Sequence, residues 1–393
     1  MSRSLHAVVL PPGPALFRRL EAALDGSGPA ICPLSPELPA PALGRLLDAL
    51  RPTWVETDAG RQRYDCGAGC APGPAVAGDT AVLIATSGST GAPKVVELSA
   101  AALRHSATAT LSRVAARPGE RWLCCLPPSH IAGVQVLVRS LVAGTDPVIH
   151  PRFDAERVAR SGAAHLSVVP TQLRRLLDAD VDLGGFRSIL LGGAAAPPGL
   201  VETARARGAG VFTTYGMSET CGGCVYDGVP LDGVSVDIGA DGRIRLAGPV
   251  LFTGYRLRPD LTAAVRDGAW FVTQDLGALE DGRLRVRGRA DDVIITGGEK
   301  VVAGEVSAVL ARHHAVRDVA VVGRADPEWG ERVTAVVVPG DDPPGLEELR
   351  AWVRAELPAY AAPRQLELVE ELPLLPSGKP DLERLRRGAF RAD

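Results

Sequence analysis

The sequence predicts an α/β protein: a large N-terminal domain of mostly parallel sheets flanked by helices, a small antiparallel β subdomain, and a small α+β C-terminal domain. Three observations predict it. Between residues 80 and 216, short apolar runs ending in glycine or turn residues alternate with helical segments, the pattern of a largely parallel, helix-covered sheet. From Gly233 on, Asp241-Gly242 and Asp281-Gly282 stand between alternating residues, which is a hairpin signal. After Gly288-Arg289-Ala290-Asp291-Asp292, a compact mixture of helices and strands runs to the end.

Composition bounds the function classes. A chain of 393 residues can bury a large core and is expected to form two or more domains. With 46% hydrophobic and 23% charged residues it has the make-up of a soluble globular protein. A net charge of −3 gives no reason to expect nucleic acid or an anionic membrane as partner. No stretch reaches the roughly 20 apolar residues of a membrane span, so no stable membrane insertion is expected. The N-terminus lacks a basic patch, apolar run and cleavage site, which reads as no signal peptide and a cytoplasmic protein. A homodimer is compatible with the sequence. Seven cysteines in such a chain read as reduced core residues. Cys66 with Cys70 and Cys221 with Cys224 could offer four thiolates to zinc, but the pairs lie far apart and no histidine completes either; structural thiols are favoured.

Taken in order, residues 14–24 and 40–50 read as helices around a short strand, Ala30-Ile31-Cys32-Pro33-Leu34. An apolar run at 80–85 suits a buried strand, and an alanine-rich helix follows Ser99. Trp122-Leu123-Cys124-Cys125-Leu126 reads as a core strand, and residues 134–141 as a helix. Ser167-Val168-Val169-Pro170 is a strand leading to a helix at 171–178, with Thr171 near its N-cap. Residues 188–194 and 211–216 are further strands ending in glycine-bearing turns, at the carboxyl ends where ligands of such sheets sit. In the tail, helices are expected at 304–312 and 346–356, and strands at 318–322 and 334–338.

One stretch organises the chain: Thr86-Ser87-Gly88-Ser89-Thr90-Gly91-Ala92-Pro93-Lys94. A loop so rich in glycine and hydroxyls can turn successive N–H groups and hydroxyls onto one anion, as a phosphate nest. It is not the P-loop of NTPases, which ends in Gly-Lys-Ser/Thr, whereas Pro93-Lys94-Val95 stands here. Lysine usage supports the point. Of 43 basic residues only Lys94, Lys300 and Lys379 are lysine, and each lies in a glycine-bearing loop. A compact ammonium is not interchangeable with a guanidinium where it must meet a phosphate.

Further stretches follow in a set order. They are Thr214-Tyr215-Gly216-Met217-Ser218-Glu219-Thr220, Gly248-Pro249-Val250-Leu251-Phe252-Thr253-Gly254-Tyr255, Thr273-Gln274-Asp275, residues 288–300 and Pro376-Ser377-Gly378-Lys379. With the central loop, these motifs resemble the signatures of the adenylate-forming superfamily of acyl-CoA synthetases, adenylation domains and luciferases, over about residues 30–390. The resemblance implies activation of a carboxylate by ATP to an acyl-adenylate, then attack by a thiol such as CoA, with Mg²⁺ as cofactor. It implies that Thr86, Ser87, Gly88, Ser89, Thr90, Gly91 and Lys94 hold the β- and γ-phosphates. Gly193 and Ala194 would line the adenine, within a nucleotide site that includes Thr214, Gly216 and Met217, and Tyr215 would stack on the base. Thr220 would touch the α-phosphate and Glu219 would ligate Mg²⁺, an oxygen-preferring ion. Asp275 would take two ribose hydroxyls, with Arg289 beside it. The family usually has glycine where Gln274 stands, a departure expected to reshape the ribose turn. Lys379 would bridge carboxylate and α-phosphate during adenylation. The resemblance also makes the C-terminal domain mobile. Domain 1–290 would carry ATP and acid, and domain 291–393 would swing at Asp291, bringing Gly297, Gly298 and Glu299 to the thiol tunnel.

The acid must come from other residues. By resemblance His130 borders the acyl pocket, and Gly216 and Ser218 line it. Arg139 lies mid-helix among apolar neighbours, where a charge is expensive unless paired. Its partner is either a second carboxylate on the substrate or an internal group. The stretch His130-Ile131-Ala132-Gly133-Val134-Gln135, Val169–Leu173 by number 169–173, and residues 215–226 most resemble ligases whose acid carries an aromatic ring and two carboxylates. Another aryl or short acid, or delivery to a carrier protein, is the alternative.

Overall fold

The computed structural model describes residues 2–65, 73–87, 93–196, 198–375 and 380–388, with Ser87 and Pro198 by their backbone only. It divides into two compact units. The first comprises Met1–Gly193, Ala204–Ser235 and Leu246–Phe271; the second comprises Ala194–Thr203, Val236–Arg245 and Val272–Asp393.

The first unit holds two seven-stranded sheets. In one, β1 (Leu5–Val9), β2 (Ala30–Leu34), β3 (Trp54–Thr57) and β5 (Thr80–Ser87) are parallel at the centre. Antiparallel partners finish both sides: β4 (Gly60–Arg63) on β3, and β6 (Pro93–Ser99) on β5, with Gly254–Tyr255 beyond β6. The central strands are buried on both faces, which is why they read as continuous apolar runs. Helix α1 (Pro14–Asp25) turns Leu16, Leu20, Ala23 and Leu24 inward. Helix α2 (Ala40–Leu50) packs on the core of Leu5, Ala7, Val9 and Val55.

The second sheet follows the order β8-β7-β9-β10-β11-β12-β13. Strands β7 (Trp122–Cys124), β8 (Val148–Ile149), β9 (His165–Val168), β10 (Ser188–Leu191) and β11 (Val211–Met217) are parallel. Strands β12 (Gly222–Tyr226) and β13 (Val229–Pro230) return antiparallel. Helix α3 (Ala100–Arg113) is capped by Ser99, whose side chain accepts from the Ala102 N–H at 3.1 Å. It packs against α4 (Ile131–Ala143), which lies on β7 and β12. Helix α5 spans Pro170–Asp178, one residue earlier than expected. Proline takes the first helical position, where its missing N–H costs nothing, and the N-cap is Val169 rather than Thr171. Gln172 supplies the side-chain cap, accepting from the Val169 N–H at 3.2 Å.

Strands β14 (Ser235–Ile238) and β15 (Arg243–Ala247) flank a turn in which the Gly242 N–H donates to the Gly239 carbonyl, residues 236–245 of this hairpin belonging to the second unit. Strands β16 (Trp270–Glu280) and β17 (Arg283–Arg289) form the second hairpin, at Asp281-Gly282. The tail carries β18 (Val293–Thr296), β19 (Glu299–Val302), β20 (Val316–Asp326), β21 (Gly330–Pro339) and β22 (Gln365–Leu368) in one sheet. Alternation on β20 and β21 feeds two cores. Val321, Val333, Ala335 and Val337 meet α6 (Ala303–Leu310) and α7 (Leu346–Arg354), while Ala320, Val322, Val336 and Val338 meet Leu372 and Leu385.

Candidate active site

Strands β5 and β6 are an antiparallel hairpin in which Thr86 stands opposite Lys94, and the Thr86 hydroxyl donates to the Lys94 carbonyl at 3.2 Å. Gly88, Ser89, Thr90 and Gly91 at the tip lie outside the described residues, as does the Ser87 side chain. What is placed is the lysine at the foot of the hairpin. On the far side of β6, Tyr255 stands opposite Val96. Lys94 is two residues from Val96 and shares its face of the strand, so Tyr255 is its diagonal neighbour across the ladder. The Lys94 ammonium lies 5.8 Å from the Tyr255 ring centroid, within cation–π range.

The Tyr255 hydroxyl donates to Glu219 Oε1 at 2.8 Å. Burial, and then the facing carboxylate, push the phenol well above its ordinary range, so Tyr255 stays a donor. Glu219 keeps Oε2 without a partner among the described residues. A carboxylate with one oxygen anchored and one open fits an oxygen-seeking cation such as Mg²⁺.

Glu219 is presented by the 3-10 turn Ser218–Thr220 between β11 and β12. Thr220 is fully buried. Its hydroxyl accepts from the Met217 N–H at 2.9 Å and lies 2.7 Å from the Gly222 carbonyl and 3.1 Å from that of Met217. The single hydroxyl proton is consumed inside the turn. These bonds fix the turn that presents Glu219. The Glu219 carbonyl also accepts from the Phe252 N–H at 2.8 Å, so the segment ending in Tyr255 grips both the backbone and the side chain of Glu219. Gly216 is required by close approach: a Cβ there would lie 2.0 Å from the Gly222 carbonyl oxygen, beside the register shift between Tyr215 and Gly216. The Thr214 hydroxyl donates to the Leu191 carbonyl at 3.2 Å, Tyr215 is half-buried opposite Val225, and Gly193 is exposed beyond β10. Ala194 falls in the second unit.

His130 occupies the N-cap of α4 and is half-buried. Arg139 is only 4% exposed. Its Nε donates to the Gln135 carbonyl at 2.9 Å and Nη2 to the Ser167 hydroxyl at 3.2 Å. The guanidinium lies over the Trp122 ring, 4.3 Å from its centroid. Burial lowers the Arg139 pKa from its ordinary value. Among the described residues no carboxylate pairs with it, and Nη1 is left without a partner. One turn earlier on α4, the buried Gln135 Oε1 also lacks a partner. Stacking and neutral acceptors therefore hold a cation that has no internal counter-ion.

In the second unit, Asp275 and Arg289 are register partners, with Arg289 Nη1 donating to Asp275 Oδ1 at 3.3 Å. The rest of the guanidinium forks onto Asp291, Nε to Oδ1 at 2.8 Å and Nη2 to Oδ2 at 2.7 Å. Burial pushes the Asp291 carboxyl up, but these bonds and the Arg289 charge outweigh it, and the group sits below its ordinary value. Gln274 is exposed within strand β16, where the Thr273 hydroxyl accepts from the Asp275 N–H at 3.0 Å. Gly297 and Gly298 are the two-residue turn joining β18 to β19, at φ +59° and +84°, and Glu299 is exposed at the start of β19. Lys379 lies outside the described residues, as do Cys66 and Cys70. Cys221 and Cys224 are buried free thiols, pushed up by burial, in keeping with a structural role. Sequence reasoning assigned no role to Tyr255, Gln135 or Trp122. Tyr255 lay inside a quoted motif, and its pairing beside β6 was the missing link.

Residues 15–258 match the family model of the AMP-binding enzyme, and residues 305–379 match that of the AMP-binding enzyme C-terminal domain. The chain is 44% identical over 373 residues to the probable 2-succinylbenzoate–CoA ligase of Mycobacterium tuberculosis, covering 90% of this chain and 96% of that one. It resembles the o-succinylbenzoate CoA synthetase (MenE) from Bacillus subtilis, solved in complex with the acyl-adenylate intermediate OSB-AMP. The TM-score is 0.83 at 28% identity, covering 99% of this chain and 88% of that one. The same Bacillus subtilis enzyme solved with ATP and magnesium ion matches with TM-score 0.81 at 27% identity, over 97% and 89% of the two chains.

Proposed function

We infer the reaction from the premise that this chain belongs to the AMP-binding enzyme family. It is an AMP-forming acid–CoA ligase that acts on 2-succinylbenzoate. A carboxylate oxygen attacks the α-phosphorus of ATP and the bond to pyrophosphate breaks. The CoA sulfur then attacks the acyl carbon, and the bond to AMP breaks. Mg²⁺, bound with ATP, offsets phosphate charge; Glu219 is the residue that would hold it.

The observation that carries the choice of acid is Arg139, a buried guanidinium with an unpartnered Nη1 and no carboxylate beside it among the described residues. A substrate with a second carboxylate supplies the missing counter-ion, and an aromatic one suits the apolar surroundings of α4. His130, Gly216 and Ser218 are assigned to the same acyl pocket. Lys94 and the loop 86–91 take the β- and γ-phosphates, Thr214, Tyr215, Met217, Gly193 and Ala194 the adenosine, and Asp275 with Arg289 the ribose. Lys379 bridges carboxylate and α-phosphate. Domain 291–393 swings at Asp291, and Gly297, Gly298 and Glu299 serve thioester formation. Five described cysteines, all buried and free, support the cytoplasm as compartment. A homodimer is the assembly to seek by light scattering.

Acid-dependent exchange of pyrophosphate into ATP tests the reading. It is expected with 2-succinylbenzoate and far weaker with benzoate or acetate; equal exchange with benzoate would reassign the acid. Lys379→Ala is expected to abolish exchange while sparing thioester formation from synthetic acyl-adenylate, and equal loss of both would refute the role of the lysine.

A further inference from the structure

We propose that Tyr255 is the positioning residue that sets the two charged groups of the first unit, Glu219 and Lys94, for the magnesium–nucleotide complex. The proposal rests on the reading of Glu219 as metal ligand and Lys94 as phosphate cation. Tyr255 belongs to the motif 248–255, for which the reaction itself supplies no use.

The two sides of one tyrosine serve the two charges. Its hydroxyl anchors Glu219 Oε1 at 2.8 Å and, among the described residues, leaves Oε2 open. Its ring face receives the Lys94 ammonium at 5.8 Å from the centroid. Both are set by pairing: the Gly254–Tyr255 strand lies on β6, which brings Tyr255 diagonal to Lys94, while Phe252 ties the Glu219 backbone to the same segment. Tyr255 is itself buried and leans on Phe252, ring centroids 5.0 Å apart, so its direction is fixed. Being neutral, the phenol orients the carboxylate without cancelling its charge, and the ring holds the ammonium short of a direct ion pair with Glu219. Outer partners of this kind typically tune metal affinity ten- to a hundredfold.

The test uses the full chain and Mn²⁺, a spectroscopically visible stand-in for Mg²⁺, titrated with a non-hydrolysable ATP analogue. Tyr255→Phe keeps the ring and loses the hydroxyl. It is expected to weaken Mn²⁺ binding about tenfold while leaving metal-free binding of the analogue as in the parent. Tyr255→Met removes both and is expected to weaken metal-free binding as well, by about threefold; Tyr255→Leu replaces it should that variant not fold. Unchanged Mn²⁺ affinity in Tyr255→Phe, with affinity lost in Glu219→Gln, overturns the proposal. Unchanged affinity in Glu219→Gln overturns the metal-ligand reading beneath it.

Discussion

Glu219 and Asp291 are both carboxylates that motif matching singled out, and the fold treats them oppositely. Glu219 meets a neutral phenol at one oxygen and, among the described residues, keeps the other open. Asp291 is closed at both oxygens by the Arg289 guanidinium, at 2.8 and 2.7 Å. A group that must take up a cation is poorly served by a permanent one beside it, whereas a group that must hold a backbone segment gains from a planar two-bond clamp. On the function proposed above, the partner chosen separates a metal ligand from a latch.

Glu219→Gln breaks the comparison most severely. The amide keeps the size and one carbonyl oxygen but removes the charge, so acid-dependent exchange should fall at least about 100-fold. Thioester formation from synthetic acyl-adenylate should remain near the parent rate. A loss shared equally by both half-reactions would mean that Glu219 is structural, and Asp291 would no longer have a contrasting partner.

Arg139 supplies a third case, a cation without a carboxylate partner among the described residues. Arg139→Met fills similar volume without charge, so stability should hold or rise, since no buried ion pair is broken. Turnover of 2-succinylbenzoate should drop about 30-fold in kcat/KM, the scale of a lost charged hydrogen bond. The weak activity with benzoate should stay unchanged. A uniform loss on both acids would assign Arg139 to packing over Trp122 instead.

These cases also mark what was legible in the sequence. Strand Ala30–Leu34 and helix Ala40–Leu50 have the bounds expected from them, because apolar runs and helical spacing are local signals. The parallel centre of each sheet followed from unbroken apolar strands; the antiparallel return of β6 beside β5 did not, since it depends on the loop between them. Motif positions named Glu219 and Lys94, but the contact between Tyr255 and Glu219 spans 36 residues and exists only because the Gly254–Tyr255 strand pairs with β6. Thr220 shows the opposite limit. Motif position assigned it to the α-phosphate, while the hydrogen bonds its hydroxyl makes inside the turn could not be read from the sequence. Arg139 could be read as costly, but Trp122 and Ser167, which hold it, come from other strands.

Arg289→Lys sharpens the comparison more gently. Lysine keeps the charge but cannot make two parallel bonds to Asp291. The guanidinium is nearly half exposed, so solvent screening limits the loss to under about 1 kcal/mol. A fall in melting temperature of about 2 °C is expected. The KM for ATP should rise a few-fold through Asp275, with kcat for thioester formation little changed. A stability loss far above this would make the clamp part of the folding core.

The smallest effect is in pH. Asp291 sits below its ordinary value because the Arg289 bonds outweigh the cost of burial. A depressed carboxyl contributes stability that is fully present above its unfolded value of about 3.9 and is lost as pH falls through the lower folded value. The melting temperatures of the parent and of Asp291→Asn should therefore differ by a constant amount from pH 5 to 8. They should converge only in the acid limb below about pH 4. The Arg289→Lys variant should begin to converge at the same pH as the parent but complete its convergence at a higher pH, because a weaker clamp depresses the folded carboxyl less. A difference that instead changed across pH 6 to 8 would point to a histidine rather than to the Arg289–Asp291 latch.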